Sequence, residues 1–190
     1  GYLNLPQCRK YRVEQLAELW AGLGVDLSFA HYRDLPRATG ILQDATHLMC
    51  YRVPACTDLS MHLYEARRLR LPVLYDIDNP LLSVSAYETY GNMSALDPGL
   101  RAHFVAQAPR YLDAMNAADI ISVSTPGLAD HARLLTDRPV FVRRNFADSA
   151  TLKLGAAVRS VARQGGFGMV FASGSKGHEA DFATIKEEVA

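Results

Sequence analysis

Apolar positions along the chain fall into two alternating patterns. Short runs rich in Val, Ile and Leu are followed by longer stretches in which apolar residues recur every three to four positions. That alternation is the mark of β-α-β units on a parallel sheet. The spacing predicts a helix over Arg9–Leu23, with Val13, Leu16, Ala17, Trp20 and Leu23 on the inward stripe and Arg12, Glu14, Gln15 and Glu18 off it. Gly22 and Gly24 end it. A strand over Val25–Phe29, a weak helix over Leu35–Gln43 and a strand over Thr46–Tyr51 come next. A helix over Asp58–Arg70 then leads to a buried strand, Val73–Ile77, and a polar loop broken by Asn79-Pro80.

Further along, the period predicts a helix over Leu100–Met115 that Pro109 should kink. Strand Ile120–Val123 precedes Thr125, an N-cap ahead of Pro126 at the first helical position. Strand Val140–Val142 runs into Arg143-Arg144-Asn145. Residues 147–166 read either as a linker or as a surface helix over Ser149–Arg163. A last strand, Met169–Ala172, leads into Ser173-Gly174-Ser175, with a helix from Glu179.

The chain has 190 residues, 49% hydrophobic and 21% charged, enough for one hydrophobic core plus a fragment. Twenty Lys and Arg balance twenty Asp and Glu, so no net field points to nucleic acid. Cys8, Cys50 and Cys56 form neither a Cys-x-x-Cys pair nor an even framework, the usage of a reducing compartment. No apolar run reaches the ~18 residues of a membrane span and no signal peptide opens the sequence. The expectation is a soluble, cytoplasmic chain. It opens at Gly1 in mid-pattern, so an excised piece of something longer is expected.

In an open parallel sheet, ligands bind beyond the carboxyl ends of the strands. Four predicted strand ends carry suggestive residues: Tyr51-Arg52, Asp76-Ile77-Asp78-Asn79, Ser124-Thr125 and Ser173-Gly174-Ser175-Lys176. Asp76 and Asp78 sit at period two on one strand tip, so both face one side. Burial there without a paired cation would raise a carboxylate's pKa toward neutrality, which suits a base or a hydroxyl-orienting group. The alternative is that both are turn-forming or helix-capping acids. Ser173-Gly174-Ser175-Lys176-Gly177-His178 has the small residues and the lysine of an anion cradle, but not the spacing of a P-loop. His31, His47, His62, His103 and His131 show no paired ligand spacing, so no metal is expected. Cys8 has basic neighbours but no base placed to make it a nucleophile. Arg67-Arg68-x-Arg70 reads as the solvated last turn of a helix.

Taken in order, several stretches resemble the GT-B glycosyltransferases of the large retaining family that builds bacterial polysaccharides and O-antigens. Cys8-Arg9-Lys10-Tyr11-Arg12-Val13-x-Gln15-Leu16 is similar to the Cys-Arg-x-Tyr-Arg opening of the first helix in one branch. Tyr51-Arg52-Val53-Pro54, Glu65-Ala66-Arg67-Arg68-Leu69 and Leu71-Pro72-Val73-Leu74-Tyr75-Asp76-Ile77-Asp78 resemble a second segment. Asp119-Ile120-Ile121-Ser122-Val123-Ser124-Thr125 with Leu128, and Arg144-Asn145, resemble the close of the acceptor domain. Ser173-Gly174-Ser175-Lys176-x-His178-x-x-Asp181-Phe182 is similar to the opening of the donor domain. Asn79 and Pro80 depart from the pattern, where the family has a second Asp.

The resemblance implies an α/β fold: a Rossmann-like parallel sheet flanked by helices over 1–146, a linker or surface helix over 147–166, and the truncated start of a second α/β domain over 167–190. It implies a glycosyltransferase that moves a sugar from a nucleotide-sugar donor to a polysaccharide or lipid-linked acceptor, without metal or prosthetic group. Asp76 and Asp78 would handle the proton. Arg9, Lys10, Tyr11, Arg52 and Asn79 would bind the acceptor, with Arg12 adding to the basic start of the first helix. Gly174, Ser175, Lys176 and His178 would bind the donor. A lipid-linked acceptor would bring peripheral association with the inner face of the membrane. The fragment alone is expected to be inactive. The competing reading is a non-catalytic α/β module that binds a nucleotide or a partner. An oxidoreductase would need a Gly-x-Gly-x-x-Gly after an early strand, which is missing.

Overall fold

The computed structural model describes residues 1–89, 93–94, 96–159, 182–183 and 185–186. They form helices α1 (Pro6–Arg9), α2 (Gln15–Ala21), α3 (Leu35–Asp44), α4 (Thr57–Arg68), α5 (Val84–Thr89), α6 (Pro98–Asn116), α7 (Pro126–Arg133) and α8 (Ser149–Arg159). A π-helical turn, Lys10–Glu14, joins α1 to α2. Strands β1 (Leu48–Tyr51), β2 (Val73–Ile77), β3 (Ile120–Val123) and β4 (Val140–Val142) make one parallel sheet in the order β1-β2-β3-β4. The chain divides into two compact units. One is Gly1–Leu82 with Gln107–Phe146, and the other is Ser83–Ala106 with Ala147–Ala190.

The first unit holds the whole sheet. Register places Tyr51, Asp76, Ser122 and Phe141 in one row across β1 to β4, with Cys50, Tyr75, Ile121 and Val140 in the next. Side chains of successive rows face opposite sides of the sheet. The second row belongs to the deeper side, where Val73, Tyr75, Ile77, Ile121 and Val123 are buried. Strands that follow one another in order, with right-handed crossovers, place their connecting helices on a single side. Leu59 and Ala66 of α4, Met115 of α6, and Ala129 and Ala132 of α7 are among the buried residues those helices contribute. The opposite side meets the π-helical segment: Cys8 and Val13 form one core cluster with Tyr51.

Local chemistry explains the boundaries. Pro6 occupies the first position of α1, where its missing N–H costs nothing, so the helix starts before Arg9. Asp34 caps α3 by accepting from the Arg37 N–H at 3.3 Å, and Thr125 Oγ1 caps α7 by accepting from the Leu128 N–H at 3.2 Å. Arg70 takes a left-handed φ of 58° as α4 ends, and the Leu71 N–H returns to the Ala66 carbonyl at 2.8 Å. Helix α6 continues through Pro109.

Three expectations change. Residues 25–29 form no strand, because strand character needs a ladder partner and their backbone has none among the described residues; Ala30 and Tyr32 instead bond Gly1. The polar loop after Ile77 contains α5, with Ser83 Oγ accepting from the Ala86 N–H at 3.3 Å. The inward stripe of the first helix is displaced: Arg12 and Gln15 are buried with Val13 and Leu16, while Leu23 is exposed. A π-helical turn carries more residues than an α-turn and so rotates the buried face past the one that 3.6-residue spacing predicts.

In the second unit, Asp97 Oδ1 accepts from the Leu100 N–H at 3.0 Å and Asp148 Oδ1 from the Thr151 N–H at 2.7 Å, capping α6 and α8. The strand predicted over 169–172 and the start of the second domain over 167–190 lie outside the described residues, apart from 182–183 and 185–186. Among the described residues, no helix is long and apolar enough to cross a membrane.

Candidate functional site at the strand ends

Chain segments far apart in sequence meet at the carboxyl ends of β1, β2 and β3. Asp76, the fourth residue of β2, is wholly buried beneath the π-helical turn. Its Oδ2 accepts from Arg12 Nε at 3.0 Å and from Arg143 Nη2 at 2.8 Å, and its Oδ1 accepts from Arg12 Nη2 at 2.5 Å. Arg12 is equally buried. The premise of a buried carboxylate without a paired cation therefore fails at Asp76. Two guanidiniums occupy its oxygens, so it is held in a charge-assisted hydrogen-bonded cluster.

Asp78 lies one residue past the end of β2 and has different surroundings. Tyr51 Oη donates to its Oδ2 at 3.1 Å, and Arg52 Nη1 stands 3.7 Å from its Oδ1. That Oδ1 has no hydrogen-bond partner among the described residues, and the side chain is 14% exposed. Ser124 Oγ donates to the Asp78 carbonyl at 3.0 Å, tying the tip of β2 to the turn after β3. Burial, and then the adjacent Asp78 carboxylate, push the Tyr51 hydroxyl far above its ordinary pKa, so it stays a donor.

Arg52 follows β1 with a left-handed φ of 50°, a conformation that side-chain residues adopt at a cost. The turn is fixed by its N–H, which donates to the Asp76 carbonyl at 2.9 Å, and by Nη1, which donates to Cys8 Sγ at 3.3 Å. Burial is the largest single influence on Arg52 and opposes its charge, but Asp78, Cys8 and Tyr51 together outweigh it and the guanidinium pKa is raised. At Arg143 burial dominates and lowers the pKa despite Asp76. Among the described residues, Arg12, Arg52 and Arg143 face two carboxylates in this cluster, which leaves one positive charge in excess at the strand ends. Such a place attracts an anionic group.

The other predicted acceptor residues surround this cluster less closely. Arg9 is exposed, pairs with Glu14 at 2.7 Å and lies over the Phe29 ring, its guanidinium 5.3 Å from the centroid. Lys10 stands 5.7 Å from the centroid of the Tyr11 ring. Asn79 is exposed, and its carbonyl accepts from the Leu81 N–H at 2.8 Å. The donor-side residues Gly174, Ser175, Lys176 and His178 lie outside the described residues. The sequence marked Tyr51 as part of a suggestive strand end without giving it a role, gave Arg143 no role, and placed Arg12 off the inward stripe, in the basic start of the first helix. For Tyr51 and Arg12 the available signal was position, since each stands beside a predicted site residue; Arg143 had none.

A recess of about 590 Å³ lies elsewhere, between α3 and α4, bordered by Thr39, Thr57, Met61 and Tyr64. It holds none of the predicted site residues, so the strand ends are the better candidate. Among the described residues no group of three or more His, Cys, Asp or Glu converges as a metal site would. Compared with family models, with curated proteins and with solved structures, the chain gives no match.

Proposed function

We propose that this chain is the acceptor-side part of a nucleotide-sugar-dependent glycosyltransferase of the GT-B type, acting on a polysaccharide or lipid-linked acceptor. One observation carries the reading. The stretches that resemble that family, 8–16, 51–54, 71–78, 119–128 and 144–145, are joined directly at one sheet edge. Cys8 meets Arg52, Arg12 meets Asp76 and Asn145, and Ser124 meets Asp78. Such a convergence is what a site at the carboxyl ends of parallel strands needs.

In this reading Asp78, not Asp76, orients or deprotonates the acceptor hydroxyl. Its Oδ1 is unclaimed by a hydrogen bond, and Tyr51 holds the carboxylate in place. The surplus positive charge at the strand ends suits an acceptor or leaving group that carries phosphate. Arg9, Lys10 and Tyr11 extend the acceptor path, and Gly174, Ser175, Lys176 and His178 would meet the donor diphosphate. Peripheral attachment to the inner membrane face would follow from a lipid-linked acceptor. The fixed backbone at Arg52 keeps its guanidinium beside Asp78, so the carboxylate is presented in one orientation.

The test is steady-state sugar transfer by the full-length protein. Asp78→Asn should lower kcat by roughly 100- to 10,000-fold with little change in melting temperature. Arg9→Ala and Lys10→Ala should raise the acceptor KM. Unchanged kcat in Asp78→Asn would remove the residue from the chemistry. Binding of a nucleotide-sugar without transfer to any glycan or lipid-linked acceptor would favour the non-catalytic module.

A further inference from the structure

Arg12 has no exposed surface, yet it touches separate stretches of chain. Nε and Nη2 donate to Asp76 near the end of β2, while Nη1 donates to the Arg143 carbonyl at 2.6 Å and to Asn145 Oδ1 at 3.2 Å. Arg143 closes the ring, its Nη2 donating to Asp76 Oδ2 at 2.8 Å and to the Arg12 carbonyl at 3.4 Å. These partners lie 131 and 133 residues from Arg12 along the chain.

The location matters because the sheet ends here. The last backbone bond of β4 to its neighbour runs from the Arg143 N–H to the Val123 carbonyl at 2.7 Å. Beyond it, among the described residues, 144–147 make no backbone hydrogen bond to the sheet. The exit of the chain is therefore held by side chains, and Arg12 supplies two of the bonds. The π-helical turn is what aims Arg12 inward, since α-helical spacing would leave it off the buried stripe.

We propose that Arg12 is a positioning residue, a buried clasp that fixes where the chain leaves the sheet after β4. Asp76 is its anchor, and Arg143 with Asn145 are the parts it holds. Lysine cannot replace it, because a single ammonium lacks the planar fork that serves the Asp76 carboxylate and the Arg143 carbonyl together. This assignment does not depend on the glycosyltransferase reading.

Arg143 and Arg144 are themselves tryptic sites, so the exit segment reports its own release. Limited trypsin digestion of the full-length protein, with cuts mapped by mass spectrometry, should show Arg12→Lys cleaved after Arg143 and Arg144 roughly tenfold faster or more. Cuts elsewhere in the unit, and hydrogen exchange in β2 and β3, should keep their rates. Asn145→Ala spares the buried Arg12–Asp76 pair and should accelerate the same cuts by about threefold, a loss of one modest hydrogen bond. Asn145→Asp retains the acceptor and should not accelerate them. Equal rates in wild type and Asn145→Ala would overturn the proposal, including where Arg12→Lys loosens the whole unit. Acceleration of the same cuts in Asn145→Asp would overturn it as well.

Discussion

Replacing Asp76 with Asn separates a structural carboxylate from a chemical one. Both Asp76 and Arg12 have no exposed side-chain surface, so water cannot take over when the pair is broken. The substitution keeps the shape but removes the charge opposite Arg12 and Arg143, and the amide nitrogen presents donors where one oxygen accepted. Breaking a buried ion pair by altering one partner costs about 3–5 kcal/mol, because the other charge stays buried and uncompensated. Against a typical total of about 5–15 kcal/mol, that is a large fraction. At roughly 2–4 °C per kcal/mol for a chain of this size, the melting temperature should fall by about 6–20 °C. Thermal and urea unfolding of wild type and Asp76→Asn, followed by circular dichroism, measure this directly. The double variant Arg12→Met, Asp76→Leu should lose less than the sum of its single variants, since it removes both buried charges at once. A loss below about 1 kcal/mol in Asp76→Asn would refute the reasoning, and a large loss of kcat at unchanged stability would return Asp76 to the chemistry.

Two further outcomes follow from the same structure. Asp119 accepts from Arg67 Nη1 and from the Val73 N–H, each at 2.8 Å, and the Arg67 hydrogen bond first, then the Val73 N–H, hold its pKa below the usual aspartate value. Its contribution is thus fully present above the unfolded value near pH ~4 and is lost as pH falls through the lower folded value. With the side chain a third exposed, Asp119→Asn should cost about 0.5 kcal/mol at pH 7. That difference should vanish in acid, and a penalty independent of pH would refute the assignment. Burial pushes the Cys50 thiol up to about 11, whereas Cys56 is only half-buried. Iodoacetamide at pH 8 should label Cys56 in the folded chain and Cys50 only after unfolding; equal labelling would show that β1 is not buried as described.

Strands β2, β3 and β4 begin and end where the apolar runs do, because buried parallel strands are written as short continuous runs of Val, Ile and Leu. The four-stranded parallel sheet flanked by helices, a Rossmann-like arrangement, was legible for that reason. Residues 25–29 alternate apolar with polar, Val25, Leu27 and Phe29 around Asp26 and Ser28, but form no strand. Val and Leu can favour an extended backbone; they cannot supply the neighbour that completes a ladder. The first helix shows a different limit. A π-helical turn leaves no mark in a hydrophobic count, yet it exchanged a solvated arginine for a buried one. Helix α5 was hidden because its signal is a serine cap within a polar stretch.

The candidate site was legible as a place and not as a set of roles. Period two along β2 placed Asp76 and Asp78 on one side, and both do meet Tyr51's side of the sheet: Asp76 shares its row, and Asp78 accepts its hydroxyl. Depth along the strand then divides them. Asp76 is still within the ladder, paired in register with Ser122, and so lies beneath the helix segment that brings Arg12. Asp78 is past the last paired residue, where among the described residues Tyr51 donates to its carboxylate and Arg52 stands beside it. The arginines that neutralise Asp76 come from 64 and 67 residues away, one on an irregular helical turn and one after the last strand. Local spacing cannot encode such partners. The carboxylate two residues further along the chain keeps one buried oxygen unclaimed among the described residues, because it meets a tyrosine hydroxyl and an arginine 3.7 Å away rather than two guanidiniums within hydrogen-bond reach.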